Sequence, residues 1–223
     1  MIYLIRHGQT DQNVAWRIQG QRDFPLNETG VAQAEAARDA LRELGISFQR
    51  VYSSPLVRAV RTAEIVIGDG DAGTAGDAYD AAGAEASKAP GLILDDRLKE
   101  MDYGPYEGAD LKNLPEALKE FFSDFNRNPA PEGVEQLPDL VKRLGGFLEA
   151  IKSDIMEMAP GENVLISTHA IALKAALEYL TPGSNGAYWS KYLPNCGMYA
   201  FDLVDGEYTV PEEFVYEIKD SVG

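Results

Sequence analysis

Residues 1–5 form a short apolar run that stops abruptly at Arg6, His7 and Gly8. Such a run is typical of a strand buried inside a parallel sheet, because both faces of that strand must be apolar. Open α/β sheets place ligand sites just beyond the carboxyl ends of their strands. We therefore expect Arg6 and His7 to lie at such an edge, where the glycine after them allows a sharp turn or a close approach to a ligand.

A second histidine follows a second apolar run. The chain has 2 histidines, and His169 comes directly after residues 163–168, which are also predicted to form a buried strand. Either histidine alone could be a buried side chain with a purely structural role. Two strands of one sheet can, however, bring the side chains at their ends together. The repeated pattern therefore predicts that His7 and His169 share one site.

Strand and helix patterns alternate along the rest of the chain. Helices are predicted over residues 29–44, 55–67, 111–127, 137–155 and 171–180, and further strands at 51–52 and 92–94. Thr29 and Ser54 are the predicted caps of the first two helices. Alternation of this kind indicates a mostly parallel sheet that is covered by helices on both faces.

The length of 223 residues and the hydrophobic share of 45% fit one α/β domain spanning residues 1–223. Residues 68–91 consist mostly of small and polar residues with almost no large apolar side chain. Such a segment cannot bury enough surface to offset its ordering entropy, so we expect a flexible insertion there. A linker between two domains is the alternative. The phenylalanine-rich stretch at 111–127 is predicted to belong to a lid region at about 96–136.

The net charge of −16 and the isoelectric point near 4.5 argue against nucleic acid or an anionic membrane as a partner. A small anionic substrate is compatible with this charge if the cations are concentrated in one pocket. The 1 cysteine excludes an internal disulfide and a metal site built from several cysteines. The sequence has no recognisable secretory signal and no apolar stretch of membrane-spanning length. We therefore expect a cytoplasmic protein, for which a homodimer is one assembly that the sequence allows.

Five residues carry the predicted chemistry: Arg6, His7, Arg58, Glu100 and His169. Two guanidinium groups beside two imidazoles make a cationic pocket, and the planar arginine fork suits the oxygens of a phosphoryl group. A neutral imidazole can attack phosphorus and form a covalent phosphohistidine. A carboxylic acid beside the leaving oxygen could give it a proton and later accept one from water. This chemistry requires no metal, and the sequence offers no good set of metal ligands.

Several motifs, in order along the chain, carry a family resemblance. They are Arg6-His7-Gly8-Gln9-Thr10, Asn13, Arg17-Ile18-Gln19-Gly20, Ser53-Ser54-Pro55-Leu56-x-Arg58-Ala59, Leu98-x-Glu100 with Glu107-Gly108, and Ser167-Thr168-His169-Ala170. Together they resemble the phosphoglycerate mutase-like branch (branch 1) of the histidine phosphatase superfamily over nearly the whole chain. The resemblance implies a three-layer α/β/α sandwich with a mostly parallel central sheet and a helical lid insertion.

The resemblance also implies a role for each of the five chemical residues. His7 would be the phosphorylated nucleophile, and Glu100 would donate a proton to the leaving group. Arg6, Arg58 and His169 would complete the pocket around the phosphate. The resemblance implies neither a metal nor a cofactor.

A binding set is implied around that phosphate pocket. Its members are Thr10, Asn13, Gln19, Gly20 and Ala170. Asn13 and the backbone at Gln19 and Gly20 would contact the phosphate or its leaving group. Ala170 departs from the glycine that the family usually has after its second histidine, so the backbone there must turn without glycine.

We predict a metal-independent phosphomonoester hydrolase that acts on a small phosphorylated metabolite through a phosphohistidine on His7. Mutases that resemble this branch typically carry a longer basic, proline-rich insertion after the Glu100 motif. Residues 111–131 are instead phenylalanine-rich and mildly acidic, which favours entry of water and therefore hydrolysis. Phosphoglycerate mutase-type phosphoryl transfer is the alternative, and a non-catalytic phospho-ligand binding protein is the second alternative. Glu107 is the rival to Glu100 as proton donor.

Overall fold

The computed structural model describes residues 1–68, 91–125 and 127–216. Its strands are β1 (Ile2–Arg6), β2 (Arg50–Ser53), β3 (Leu92–Leu94), β4 (Val164–Thr168), β5 (Met198–Phe201), β6 (Leu203–Val204), β7 (Glu207–Tyr208) and β8 (Glu212–Phe214). Six of them form one sheet in the order β3-β2-β4-β1-β5-β8, while β6 and β7 pair as a separate hairpin. The predicted flexible insertion at 68–91 lies, except for its two end residues, outside the described residues.

The central sheet is mostly parallel, as predicted. β1 and β4, β4 and β2, and β2 and β3 are parallel pairs, whereas β5 runs antiparallel to β1 and β8 antiparallel to β5. In the central pair, Arg6 stands opposite Thr168. Because these two residues are the last of their strands, His7 and His169 leave the sheet side by side at the same edge.

Helices cover both faces of this sheet. They are α1 (Asp11–Val14), α2 (Glu28–Glu43), α3 (Val57–Ile67), α4 (Glu116–Ser123), α5 (Leu137–Met156) and α6 (Ala170–Leu180). Within the described ranges, none of them is both long and apolar enough to cross a membrane.

Two hydrophobic cores lie on opposite faces of β1, because successive side chains of a strand point to opposite sides. Tyr3 and Ile5 join the core that contains Ala34 of α2 and α3 residues such as Ala63. Leu4 belongs to the other core, together with side chains of α5 and α6. The predicted three-layer α/β/α sandwich is therefore confirmed.

Two predicted helix caps are wrong. Asn27, and not Thr29, caps α2, and its side chain accepts the N–H of Gly30 at 2.9 Å. Ser54 does not cap α3, which begins at Val57. Its hydroxyl instead accepts the N–H of Leu56 at 3.3 Å in a tight turn ahead of the helix, the kind of local bond with which serine competes against helix.

The predicted helix over 111–127 is too long. The observed α4 is Glu116–Ser123, with Pro115 at its N-cap. A proline disfavours helical backbone in the residue before it, so the chain from Leu111 to Pro115 turns instead. Leu111 N there donates to Trp16 O at 2.7 Å, which attaches this segment to the loop after β1.

Candidate active site

The two histidine rings meet where β1 and β4 end. Their centroids lie 5.2 Å apart with the ring planes at 61°, and both side chains are buried. The backbone fixes this approach, because His7 N donates to Thr168 O at 2.9 Å and so extends the parallel pairing by one residue. The structure thus brings the two histidines of the sequence pattern together.

His7 is held in one tautomer. Its Nδ1 lies 2.7 Å from the carbonyl oxygen of Gly8, and a carbonyl can only accept, so Nδ1 carries the proton. Nε2 then presents its lone pair, toward which Arg58 Nε points from 3.3 Å. Burial lowers the pKa of His7 well below its usual value, and the charges of Arg58 and Arg6 lower it further. The ring is therefore neutral at physiological pH.

Two buried nitrogens near His7 lack a hydrogen-bond partner among the described residues: Arg6 Nε and His169 Nδ1. The other ring nitrogen of His169 lies 2.8 Å from Ser54 Oγ, and Arg6 Nη1 donates to Leu193 O at 2.5 Å. Buried polar atoms in folded proteins are almost always paired. An anion beside His7 would supply acceptors for such nitrogens.

Arg58 supplies a second buried cation. Its Nη2 donates to Gly20 O and its Nη1 to Arg22 O, both at 2.8 Å. Burial lowers the pKa of Arg58 to about 10, against the opposing effect of the Glu100 carboxylate. The guanidinium therefore stays charged at neutral pH, and its fork is locked in place beside Nε2 of His7.

The Glu100 carboxylate lies at the N-terminus of α6. Its Oε1 accepts the N–H groups of Met101 and Ala172, each at 2.9 Å, and its Oε2 accepts Ile171 N at 3.1 Å. The first N–H groups of a helix have no partner within the helix and carry partial positive charge. The carboxylate is therefore fixed at the N-terminus of α6, the helix whose N-cap is His169.

Glu107, the rival proton donor, has a different position. Its Oε1 accepts Gln21 N at 2.7 Å, and its Oε2 lies 3.6 Å from Arg22 Nε. Gly20, with φ of 55°, has no room for a Cβ because the Glu107 side chain fills that space. Glu107 thus holds the loop that receives Arg58 and does not line the cavity described below.

Arg143 gathers the segment that carries Glu100. It donates to the carbonyls of Arg97, Lys99 and Glu100 at 2.8, 2.9 and 3.3 Å. The same guanidinium makes a two-pronged pair with Glu135, with both N···O distances 2.8 Å. A bidentate pair fixes orientation as well as distance. The sequence did not single out Arg143, because the three carbonyls that it binds lie 43 to 46 residues away along the chain.

The implied binding set divides between the cavity wall and the layer behind it. Asn13, Gln19, Gly20 and Ala170 line the cavity. Thr10 is completely buried, and its hydroxyl lies 3.1 Å from Asn13 Oδ1 and 3.0 Å from Gln19 Oε1. The structure therefore places Thr10 behind the wall, where it holds two of the lining side chains.

Asn195 is a further residue that the sequence did not indicate. Its Nδ2 donates to the backbone carbonyl of His7 at 3.1 Å and lies 3.4 Å from Asn13 Oδ1. The available signal was the turn-forming pair Pro194-Asn195, shortly before β5. That signal predicts a loop but not its contact with His7.

These residues surround a cavity of about 260 Å³. It is lined by Arg6, His7, Asn13, Arg17, Ile18, Gln19, Gly20, Arg58, Glu100, Tyr103, Leu111, Phe122, Ala170 and Ile171. Four of the predicted chemical residues line this cavity, and the fully buried His169 lies against His7. Three arginines thus collect at one cavity in a chain of net charge −16. In the part of the chain that is described, no three His, Cys, Asp or Glu side chains converge as a metal site would require.

Known proteins are similar to this chain over most of its length. One relative is a putative phosphoserine phosphatase 2 of Hydrogenobacter thermophilus, 30% identical over 88% of this chain and 86% of that protein. Another is a probable phosphoglycerate mutase GpmB of Cronobacter sakazakii, 34% identical over 77% of this chain and 70% of that protein.

The fold is also that of a solved phosphatase. The phosphoserine phosphatase of Entamoeba histolytica, crystallised as a mutant in complex with phosphoserine, superposes with a TM-score of 0.71 at 23% identity, covering 94% of this chain and 93% of that one. The sequence model of the histidine phosphatase superfamily (branch 1) matches residues 2–75 and 78–213. The chain is therefore a member of branch 1 of the histidine phosphatase superfamily and an enzyme of the histidine phosphatase type.

Proposed function

We propose that this enzyme hydrolyses phosphomonoesters of small metabolites through a covalent phosphohistidine on His7. The observation that carries the proposal is the state of the His7 ring. Its Nδ1 proton is engaged by the Gly8 carbonyl, so the nucleophilic lone pair is on Nε2, next to the Arg58 guanidinium. A neutral nucleophile beside fixed cations suits attack on a phosphate dianion.

In the first step, His7 Nε2 attacks phosphorus and the bond to the leaving oxygen breaks. Glu100, acting as an acid, gives its proton to that oxygen, so an alcohol leaves. The new phosphoimidazole carries positive charge in its ring, which the Nδ1–H bond to Gly8 O disperses. Arg6 and Arg58 neutralise the phosphoryl oxygens, and phosphoryl transfer depends mostly on such positioning and charge.

In the second step, water attacks the phosphorus of the phosphohistidine. The Glu100 carboxylate takes the proton of that water, the P–N bond breaks, and inorganic phosphate leaves. His7 and Glu100 then have their starting protonation states, so the cycle closes. The guanidiniums supply the charge, so the scheme uses neither a metal nor a cofactor.

The remaining residues of the predicted site act around this centre. His169 would add a donor from Nδ1, the nitrogen without a partner among the described residues. Asn13, Gln19, Gly20 and Ala170 would contact the phosphate or the leaving group from the cavity wall. Thr10 would act by positioning. We keep the cytoplasm as the predicted compartment.

The segment at 96–136 would be the lid of one domain that comprises residues 1–223. Glu100, Tyr103, Leu111 and Phe122 are its contributions to the cavity lining. Two of these are apolar, and none of the described residues of this segment brings a basic side chain to the cavity. A phosphoryl acceptor with its own charges would gain little there, which supports water as the acceptor.

Trapping the phosphoryl group tests the proposal. The purified protein is mixed with a radiolabelled phosphomonoester, quenched in alkali and digested, and we expect label on the peptide that contains His7 and none in His7→Asn. Inorganic phosphate should appear at the same rate in excess chelator. Transfer of label between the positions of phosphoglycerate, faster than phosphate release, would support the mutase alternative. Binding of the ester without any adduct would support the non-catalytic alternative.

A further inference from the structure

The cavity lining divides into two chemically different parts. One part holds the cations and Glu100. The other, which we call the apolar wall, consists of Ile18, Tyr103, Leu111, Phe122 and Ile171. Resting on the proposed function, we infer that the apolar wall binds the leaving group and selects phosphomonoesters of small, uncharged, aromatic alcohols. Phe122 and Leu111 are the residues that determine this specificity.

The apolar wall is a fixed surface on the side of Leu111. Leu111 N donates to Trp16 O at 2.7 Å, Ile18 N donates to Ala109 O at 3.0 Å, and Gly108 N donates to Ile18 O at 2.7 Å. These bonds fasten residues 108–111 along the loop at 16–18. A preformed apolar surface binds a ring without an ordering cost.

Phe122 is held from its other side by aromatic neighbours. Its ring centroid lies 6.1 Å from that of Tyr103, 5.4 Å from Phe121 and 5.3 Å from Phe125. Phe121 is buried in the core, and Phe125 stacks on Trp189 at 5.9 Å. Phe122 therefore lines the cavity with a ring that these neighbours support, while Phe125 belongs to the same cluster without lining the cavity.

The charges near the apolar wall would contribute little to binding an acidic leaving group. Among the described residues that line the cavity, Arg17 is the only cation apart from Arg6 and Arg58. Its side chain is exposed and already donates to Gly108 O at 2.9 Å, and an exposed ion pair contributes little. A carboxylate beside the phosphate would thus gain little, whereas a ring would bury apolar area. The volume of about 260 Å³ has room for a phosphoryl group together with about one ring.

Paired substrates and paired variants test this inference. We expect kcat/KM for benzyl phosphate, whose alkoxide is about as poor a leaving group as that of phosphoserine, to exceed that for phosphoserine and 3-phosphoglycerate by about 10-fold or more, the range over which one apolar contact surface discriminates. Phe122→Ala should lower kcat/KM for benzyl phosphate by about 10-fold while changing that for methyl phosphate by less than about 2-fold. Phe125→Ala is the matched control, because it removes an equal ring from the same cluster but not from the cavity. Phe122→Leu repeats the test with a smaller loss of packing.

The outcomes separate the two proposals. The inference about the apolar wall would be overturned if all esters were hydrolysed at similar rates. It would also be overturned if Phe122→Ala and Phe125→Ala lowered kcat/KM equally for both substrates. Neither outcome would affect the proposed function. A preference for phosphoserine that Arg17→Gln abolishes would also overturn this inference. Arg17 would then bind the carboxylate of the leaving group, and the apolar wall would not determine specificity. Failure to hydrolyse any ester, with no label on His7, would instead overturn the proposed function from which the inference starts.

Discussion

Arg58 directs its Nε at His7 Nε2 across 3.3 Å, so the proposed nucleophile and the proposed phosphate-binding cation contact each other directly. Backbone carbonyls of Gly20 and Arg22 hold the remaining prongs of the guanidinium. These uncharged carbonyls therefore orient Arg58 without neutralising its charge, which is available to a ligand. In the proposed mechanism, the Arg58 Nε contact would shift from the imidazole to an oxygen of the incoming phosphate.

Arg58→Lys should abolish this arrangement while keeping the charge. A lysine cannot reach both carbonyls and His7 at once, because its ammonium lacks the planar fork. We expect kcat/KM to fall by about 100-fold to 1,000-fold, the loss typical of removing one transition-state donor. Steady-state kinetics measure this change. Arg61→Lys, on the same helix and paired with Glu64 at 3.3 Å, is the control and should change kcat/KM by less than about 2-fold. Equal effects in both variants would contradict the role of Arg58.

Glu100→Gln should slow the enzyme in proportion to the basicity of the leaving group. The amide cannot donate the proton that a poor leaving group needs, so kcat/KM for an alkyl phosphate should fall by about 100-fold or more. The leaving group of nitrophenyl phosphate is nitrophenolate, which is stable as an anion and does not need a proton. The loss of kcat/KM for this ester should therefore be much smaller. Glu107→Gln is the control, since Glu107 holds Gln21 N and does not line the cavity. A leaving-group dependence in Glu107→Gln, and none in Glu100→Gln, would reverse the assignment.

Arg143 should act on catalysis only through Glu100. Arg143→Lys loses the two-pronged pair with Glu135 and cannot reach all three carbonyls of residues 97, 99 and 100. We expect about a 10-fold loss of kcat/KM for alkyl phosphates and little loss for nitrophenyl phosphate, the pattern of a displaced proton donor.

A double-variant cycle distinguishes this positioning role from a general loss of stability. If Arg143 works through Glu100, Arg143→Lys should cost little more in the Glu100→Gln background, because residues that act as a unit are not additive. Arg38→Lys is the control, because Arg38 forms an exposed ion pair with Asp39 and does not line the cavity. It should leave kcat/KM nearly unchanged in both backgrounds. Additive losses with no leaving-group dependence would assign Arg143 a purely structural role.

The sequence predicted the parts of this site that local patterns encode. Each histidine follows an apolar run that became β1 or β4, and both runs lie in the middle of the sheet. Asn195 and Arg143 escaped prediction because their contacts join distant positions: Asn195 and His7 are 188 residues apart. Such pairings depend on how the whole chain folds and not on any local pattern. The overlong helix prediction at 111–127 has a local cause, because Pro115 disfavours helical backbone before it although the apolar spacing continues through that stretch.

The two buried histidines should make the protein less stable in acid. Burial lowers the pKa of both His7 and His169 well below 6.5 in the folded state, and Arg58 and Arg6 add to the effect. As the pH falls below about 6.5, the unfolded chain takes up protons at these positions and the folded chain does not. Unfolding is therefore favoured, by about 1.4 kcal/mol per pH unit for each histidine until the folded-state pKa is reached.

Comparing His169→Gln with the wild type isolates this effect from the carboxylates, which titrate in both proteins. We expect the free energy of unfolding, measured by denaturant titration between pH 7.5 and pH 5, to fall less steeply in the variant. The difference in slope should approach about 1.4 kcal/mol per pH unit below pH 6, since one buried neutral imidazole has been removed. Parallel curves for the two proteins would mean that His169 takes up its proton as readily when folded as when unfolded. The buried, neutral ring seen beside His7 would then not describe the protein in solution.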